Sequence, residues 1–233
     1  MLSSLPRRAL FRFEIPIHYQ PHAPLVDGDV SKWDEKYMAP SLVELEDDEP
    51  FADVYWAWNE DGLFVAFDVP NRRGPLRCDP TQWWKKDGVR ICVDTRDARD
   101  IKRATRFCHF FYVLPVGGGP KHKQPIVGQH RMSRAKEPSP QVDVTRIRVA
   151  AQVRRNGYSL EMAIPASCLN GWDPVEHRRI GVFHKIKDTC RGSQHLTVSD
   201  ELGWNVDPST WATGVLVKPS DPPARSSQRH VGR

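Results

Sequence analysis

The residues best suited to ligand chemistry are tryptophans that stand in polar loops. The chain has eight tryptophans among its 233 residues. Trp83 and Trp84 are adjacent in a loop that also carries prolines, so one ring can point inward while the other points outward. Trp204 lies in an acidic loop with Asp200 and Asp207. Because an exposed aromatic ring in a loop is costly without a purpose, these positions are candidates for ligand contact.

Side chains suited to acid–base, nucleophilic or metal chemistry are present but form no recognisable site. Glu161 and Glu176 could supply the two carboxylates of a glycosidase, yet nothing in the sequence brings them together. The segment 188–195 holds Asp, Cys and His at a spacing that is typical of a turn and matches no metal or nucleophile signature. Gly117–Gly119 and Lys121 lack the Gly-Lys-Ser/Thr ending of a phosphate-binding loop. The sequence therefore predicts no catalytic residue and no metal site.

Alternating hydrophobic runs predict that β-strands position these residues. The clearest run is 52–71, where Trp56 and Trp58 share one face and the turn 59–62 leads into a second alternating run. A second hairpin is predicted at 155–157, because Asn-Gly accepts the positive φ angles of a type I′ turn. Roughly nine or ten such strands, with few short helical turns, predict an all-β fold. We expect an antiparallel β-sandwich of jelly-roll or immunoglobulin-like type.

Two positions within the predicted strands carry specific expectations. Glu161 alternates with the apolar residues Leu160 and Met162, and we expect it to face solvent. The segment 10–17 alternates weakly, and we expect it to form an edge strand because Pro16 cannot donate to a central ladder.

The net charge of +5 is unevenly distributed along the chain. The segment 121–136 holds five basic residues and no acid, and the segment 218–233 has an excess of three positive charges. The remainder of the chain is therefore net negative. A nucleic-acid partner would depend on a loop and a tail alone, so we do not expect one.

Cysteine usage and the N-terminal sequence bear on the cellular compartment. The five cysteines are odd in number and contain no C-x-x-C, which argues against a secreted disulfide framework and favours reduced thiols. Arginines at positions 7, 8 and 12 interrupt any apolar run near the N-terminus, and no stretch reaches the length of a membrane span. We expect a cytoplasmic protein with no membrane partner.

Six motifs follow one another along the chain: DGDVSKW at 27–33, ADVYWAWNEDGLFVAFDV at 52–69, WWKKDGVRICVD at 83–94, GYSLEMAIP at 157–165, RRIGVFHKIKD at 178–188 and WATGVLV at 211–217. Their order resembles that of the family-9 carbohydrate-binding modules and their DOMON-like relatives. The resemblance implies one β-sandwich domain over residues 25–218. An N-terminal extension with an edge strand, 1–24, would precede it, and a disordered basic tail, 219–233, would follow it.

The resemblance implies a mono- or oligosaccharide ligand held between two tryptophans, without catalysis. Trp84 best matches the first wall, with Trp83 as the fallback, and Trp204 best matches the second. A pyranose ring has a C–H face that can lie on an indole ring and leave water. Asn205 and Gln194 are the nearby candidates for hydroxyl contacts. The resemblance assigns no cofactor and leaves calcium open.

One position departs from the family pattern. Where the family usually has a glutamate, this chain has Arg90. A carboxylate accepts hydrogen bonds from two hydroxyls, whereas a guanidinium only donates. The substitution favours an acidic sugar or another altered ligand.

Two alternatives remain open. Some DOMON-like relatives hold haem for electron transfer, and Met132, Met162, His109 and His184 could supply ligands here, although the chain has no C-x-x-C-H. The chain could also serve as an accessory module of carbohydrate hydrolysis, since such modules often accompany hydrolases.

Overall fold

Strands and short 3-10 turns form the regular structure of residues 7–219, the part of the chain that the computed structural model describes. The strands are β1 Glu14–Tyr19, β2 Asp53–Asn59, β3 Gly62–Val69, β4 Gly88–Asp94, β5 Cys108–Gly118, β6 Gln124–Gln129, β7 Arg148–Arg154, β8 Gly157–Pro165, β9 Arg179–Asp188, β10 Gly192–His195 and β11 Ala212–Val217. The 3-10 turns are Arg7–Leu10, Val30–Lys32, Glu35–Tyr37, Leu42–Glu46, Val144–Arg146, Ala166–Cys168, Asp200–Leu202 and Pro208–Thr210. The predicted all-β fold class is confirmed.

The strands hydrogen-bond in the order β6-β5-β4-β9-β11-β1-β2-β3-β8-β7, with β10 paired to β9. The ends of this order, β6 and β7, approach each other, so the sheet is nearly closed into a barrel-like sandwich. The interior is apolar, and Trp56, Trp58 and Trp211 are fully buried in it. Burial of such large rings supplies much of the hydrophobic stabilisation of the fold.

The first strand is interior, and the prediction of an edge strand is wrong. β1 lies between β11 and β2 and pairs in parallel with both. β2 pairs with β1 at His18 and Tyr19, beyond Pro16, so Pro16 needs no amide hydrogen to complete that ladder. β1, which the sequence analysis placed in an extension, is therefore a strand of the sandwich sheet.

Both predicted hairpins form. β2 and β3 pair from Asp53–Asp68 to Asn59–Gly62, and β7 and β8 pair up to Arg154–Gly157. In the second hairpin the positive φ falls on Gly157, at 153°, rather than on Asn156 as a type I′ turn would require. A Cβ at Gly157 would lie 2.3 Å from the carbonyl oxygen of Val69, which explains the need for glycine.

A second layer covers the outer face of β2, β3 and β8. Trp33 and Tyr37 pack there against Ala57, Phe64 and Ala163. The prediction of a solvent-facing Glu161 is therefore wrong, since the 27–33 segment covers this side chain and leaves its residue 1% exposed.

The basic segment contains regular structure. β6, Gln124–Gln129, forms a hairpin with β5 inside the segment 121–136, which the sequence analysis described as a loop. Of the predicted tail, 219–233, the structure describes residue 219. Residues 220–233 lie outside the described part of the chain. All five cysteines are free thiols.

Candidate functional site

A pocket of about 530 Å³ opens over one face of the neighbouring strands β5, β4 and β9. Arg90 on β4 pairs in register with Tyr112 on β5 and with Lys185 on β9, so these residues lie in a row across the face. The loop between β3 and β4 and the segment after β10 supply the walls. The lining residues are Trp83, Trp84, Arg90, Phe110, His130, Lys185, Lys187, Asp200, Trp204 and Asn205.

The β3–β4 loop presents one open indole ring. Trp83 stacks on Tyr112 with ring centroids 4.4 Å apart and planes 8° apart. Trp84 meets Trp83 edge to face at 5.8 Å and remains 51% exposed. Arg90 donates to the carbonyl oxygens of Trp83 and Gly88 and so ties this loop to β4. The adjacent tryptophans therefore divide as predicted, with Trp83 packed and Trp84 outward.

Trp204 forms the inner wall and is buried, with 6% of its surface exposed. Its ring stacks on Phe183 at 4.7 Å and contacts Phe110 at 5.5 Å. Its indole N–H donates to Asp200 at 2.8 Å. The expectation of an exposed loop ring is therefore wrong for Trp204, because the loop folds its indole onto β9 and β5.

Asp200 organises the polar side of the pocket. Lys185 donates to both of its carboxylate oxygens at 2.6 Å, and His195 lies 3.1 Å from one of them. Hydrogen bonds from His195, Lys185 and Trp204 hold the pKa of Asp200 well below its usual range, against the opposing effect of burial. Burial lowers the pKa of the Lys185 ammonium, and the bond to Asp200 opposes that effect. The carboxylate therefore stays ionised at neutral pH.

The structure brings together five of the six residues predicted for the ligand site: Trp83, Trp84, Arg90, Trp204 and Asn205. The side chain of Asn205 is exposed at the pocket rim. Contact of these residues with a ligand stays a prediction.

Gln194 does not belong to this pocket. Its side-chain oxygen accepts from the amides of Phe51 and Ala52 at 2.7 and 3.0 Å, and its amide donates to the Ala52 carbonyl at 2.8 Å. Gln194 is buried and joins β10 to the segment before β2. Its amide is therefore committed to the backbone, and its assignment as a ligand contact is corrected.

Sequence reasoning missed five lining residues, of which the last three are charged: Phe110, His130, Lys185, Lys187 and Asp200. The signal was present in β9, where Ile180, Val182 and Ile186 mark the core face. Residues 183, 185 and 187 must then face the other side. Only the pairing of β9 with β4 shows that this second face forms the pocket floor.

The four candidate haem ligands lie inside the sandwich and outside this pocket. His109, His184, Met132 and Met162 are all buried. His184 stacks near Trp56, whose indole N–H donates to its Nδ1 at 3.3 Å. Burial lowers the pKa of His184 to about 3 and that of His109 to about 4. These contacts are those of core side chains, and the haem alternative is not favoured.

The predicted turn in the segment 188–195 lies at 189–191, between β9 and β10, and residues 192–195 form β10. Asp188 accepts from the amides of Cys190 and Arg191 at 2.8 and 3.3 Å, in the manner of a turn carboxylate. Within residues 7–219 no group of three or more His, Cys, Asp and Glu side chains is arranged to hold a metal ion. None of the helices in this range has the length and apolar character needed to cross a membrane.

Comparison with solved structures identifies the fold. A family-9 carbohydrate-binding module from Caldicellulosiruptor kristjanssonii in complex with cellotriose matches with a TM-score of 0.59 and 16% identity, over 89% of this chain and 95% of that chain. A module of the same family and organism in complex with glucose matches with a TM-score of 0.60 and 15% identity, over 90% and 98%. No protein-family model and no curated protein matches the sequence. The likeness shows that this chain has the fold of the family-9 modules.

Proposed function

We propose that this protein binds a saccharide in the pocket over β5, β4 and β9, without catalysis. The observation that carries the proposal is the half-exposed indole of Trp84 on the wall of a 530 Å³ pocket. Pockets for small ligands commonly measure about 300–1,000 Å³ and combine aromatic walls with a few polar groups. The pocket is therefore large enough for one or a few sugar rings.

The exposed face of Trp84 is the platform for the ring. A pyranose that lies on it removes apolar C–H surface from water, at about 25 cal/mol per Å². Trp204 closes the inner side of the pocket, with one face already covered by Phe183. The two tryptophans thus form an open plate and a packed wall rather than two equivalent plates.

Polar groups beside the platform suit sugar hydroxyls. One carboxylate oxygen of Asp200, Oδ1, is hydrogen-bonded to Lys185, Trp204 and His195. The other, Oδ2, accepts a hydrogen bond from Lys185. The second oxygen retains the capacity to accept from a hydroxyl. Asn205 offers both a donor and an acceptor at the rim. Fixed groups of this kind give orientation and specificity to a ring that stacking alone would leave free to slide.

The carboxylates of the chain support binding without hydrolysis. Among the residues that line the pocket in the described part of the chain, Asp200 is the single carboxylate. Glycoside hydrolysis commonly uses two carboxyl groups that flank the scissile bond. Glu161 is buried under the second layer, where its oxygens accept four hydrogen bonds. Glu176 is an exposed residue of the turn before β9 and does not line the pocket.

The fold comparison supports the same function. The two similar modules described above are complexes with cellotriose and with glucose. The order of the six sequence motifs resembles that of the same family.

Isothermal titration with a panel of methyl glycosides and short oligosaccharides, both neutral and acidic, tests the proposal. We expect at least one ligand to bind, and we expect Trp84→Ala to weaken that binding about tenfold or more, the equivalent of about 1.4 kcal/mol. Trp172→Ala is the matched control, since Trp172 is a partly exposed tryptophan that does not line the pocket. No binding by any member of the panel, or equal affinities for wild type and Trp84→Ala, would overturn the proposal.

A further inference from the structure

The pocket floor carries more positive than negative charge. Arg90, Lys185 and Lys187 line it together with one carboxylate, Asp200. Arg90 and Lys185 stand directly opposite each other on β4 and β9. Like charges at directly opposed positions of an antiparallel pair are destabilising, so this arrangement needs a compensating anion.

Asp200 compensates only one of these cations. Both of its oxygens lie 2.6 Å from the Lys185 ammonium. In the part of the chain that the structure describes, Asp200 makes no ion pair within 4 Å with Arg90 or Lys187. Two positive charges at the pocket floor are therefore left without a counter-ion.

Of the two unpaired cations, Arg90 and Lys187, Arg90 carries the larger free-energy cost of burial. The residue is 2% exposed, and its guanidinium donates to two backbone carbonyls, those of Trp83 and Gly88. Across residues 7–219 no carboxylate forms an ion pair with it. Burying a charge is unfavourable unless it is paired, and here desolvation lowers the Arg90 pKa to about 10.

Lys187 lies close enough to Arg90 for both side chains to contact one anionic group. It pairs in register with Gly88, two residues from Arg90 on β4. Lys187 and Arg90 are thus diagonal neighbours on one sheet face, at about 7–8 Å, close enough for two long side chains to meet one ligand group. Lys187 is half-buried, and in residues 7–219 its ammonium has no hydrogen-bond or ion-pair partner.

We propose that the preferred ligand of this pocket is an acidic saccharide, whose anionic group lies between Arg90 and Lys187 while its ring lies on Trp84. The inference depends on the saccharide-binding function proposed above. The ligand supplies the missing counter-charge, and the carbonyl bonds of Arg90 hold the guanidinium in place before binding. A uronate carboxylate and a sulfate ester share the required chemistry.

Matched sugars test the inference. Calorimetric titration would compare a methyl glucuronide with the methyl glucoside and a sulfated methyl glucoside, together with the galactose series. We expect the acidic member of at least one pair to bind about fivefold to tenfold more tightly, as the energies of partly exposed charge pairs indicate. The advantage should shrink as salt is raised, because salt screens the charge interaction. The better of the two acids identifies carboxylate or sulfate as the natural group.

The outcomes separate the two proposals. Equal or tighter binding of the neutral sugars would overturn the acidic ligand and leave saccharide binding intact. Failure of every sugar to bind would overturn both. A preference that is insensitive to salt would contradict an electrostatic origin.

A substitution locates the anion. Lys187→Gln should lower the ratio of acidic to neutral affinities about fivefold. Lys123→Gln is the matched control, since Lys123 is exposed and does not line the pocket, and it should leave the ratio unchanged. Lys187 is the better test residue than Arg90, whose removal also frees the Trp83 carbonyl. An unchanged ratio in Lys187→Gln would overturn the placement of the anion beside Lys187.

Discussion

Two buried charges on opposite sides of the sandwich have very different surroundings. Glu161 lies under the second layer and accepts from the amides of Asp27 and Gly28 at 2.9 and 2.7 Å, from the Trp33 indole at 2.8 Å and from Lys32 at 3.1 Å. Arg90 is equally buried, but within residues 7–219 its guanidinium has two carbonyl partners and the Trp83 ring at 5.5 Å, forms no ion pair and opens on a pocket. A charge with a complete set of partners serves the fold, whereas one with an incomplete set beside a cavity is available for a ligand.

The largest expected effect on stability comes from removing the Glu161 carboxylate, which has a complete set of hydrogen-bond partners. Glu161→Ala leaves two backbone amides and an indole N–H without their acceptor, whereas the Lys32 ammonium loses one of its partners and keeps Asp27 and the Leu25 carbonyl. We expect the free energy of unfolding to fall by about 3–5 kcal/mol, the range for breaking a buried charged network. Urea denaturation measures it. A decrease of less than about 1 kcal/mol in the free energy of unfolding would contradict the structural role of Glu161, since the side chain would then contribute no more than an ordinary hydrogen bond.

The matching change on the pocket side should be milder. Arg90→Met keeps the apolar stem, removes two hydrogen bonds to carbonyls and also removes a buried charge without a counter-ion. We expect the free energy of unfolding to change by no more than about 2 kcal/mol. The loss of two hydrogen bonds lowers it, whereas removal of the desolvation penalty of the buried charge raises it. The preference for acidic sugars should disappear. Destabilisation as large as that of Glu161→Ala would show that Arg90 is a structural residue.

A smaller effect is expected from the pH dependence of Asp200. Its folded pKa lies below the unfolded value of 3.8, so its stabilisation is complete above that value and is lost as the pH falls through the folded pKa. Because the side chain is more than half exposed, we expect Asp200→Asn to cost about 1 kcal/mol at neutral pH. The difference from wild type should narrow below about pH 4. Urea denaturation at several pH values measures it, and a difference that grew on acidification would contradict the assignment.

Local patterns predicted the strands and the loop tryptophans, because hairpins and period-two alternation depend on neighbours in the chain. The prediction for Glu161 failed because its cover comes from residues 27–33, more than a hundred positions away. The prediction that Gln194 contacts the ligand failed for the same reason, since its side-chain oxygen accepts from the amides of Phe51 and Ala52, which are distant in the sequence. The cations of β9 were missed because alternation shows that a second face exists but not what lies over it. Long-range pairing, which propensity does not encode, decided each of these cases.

The most direct test of the account is the NMR spectrum of the indole N–H groups of the eight tryptophans during a saccharide titration. Comparison with Trp84→Phe assigns the Trp84 resonance. If the ligand ring lies on Trp84, the Trp84 resonance shifts and saturates with the ligand while the resonance of Trp172, outside the pocket, stays in place. Saturable binding that left Trp84 unmoved, or that shifted Trp172 instead, would contradict it.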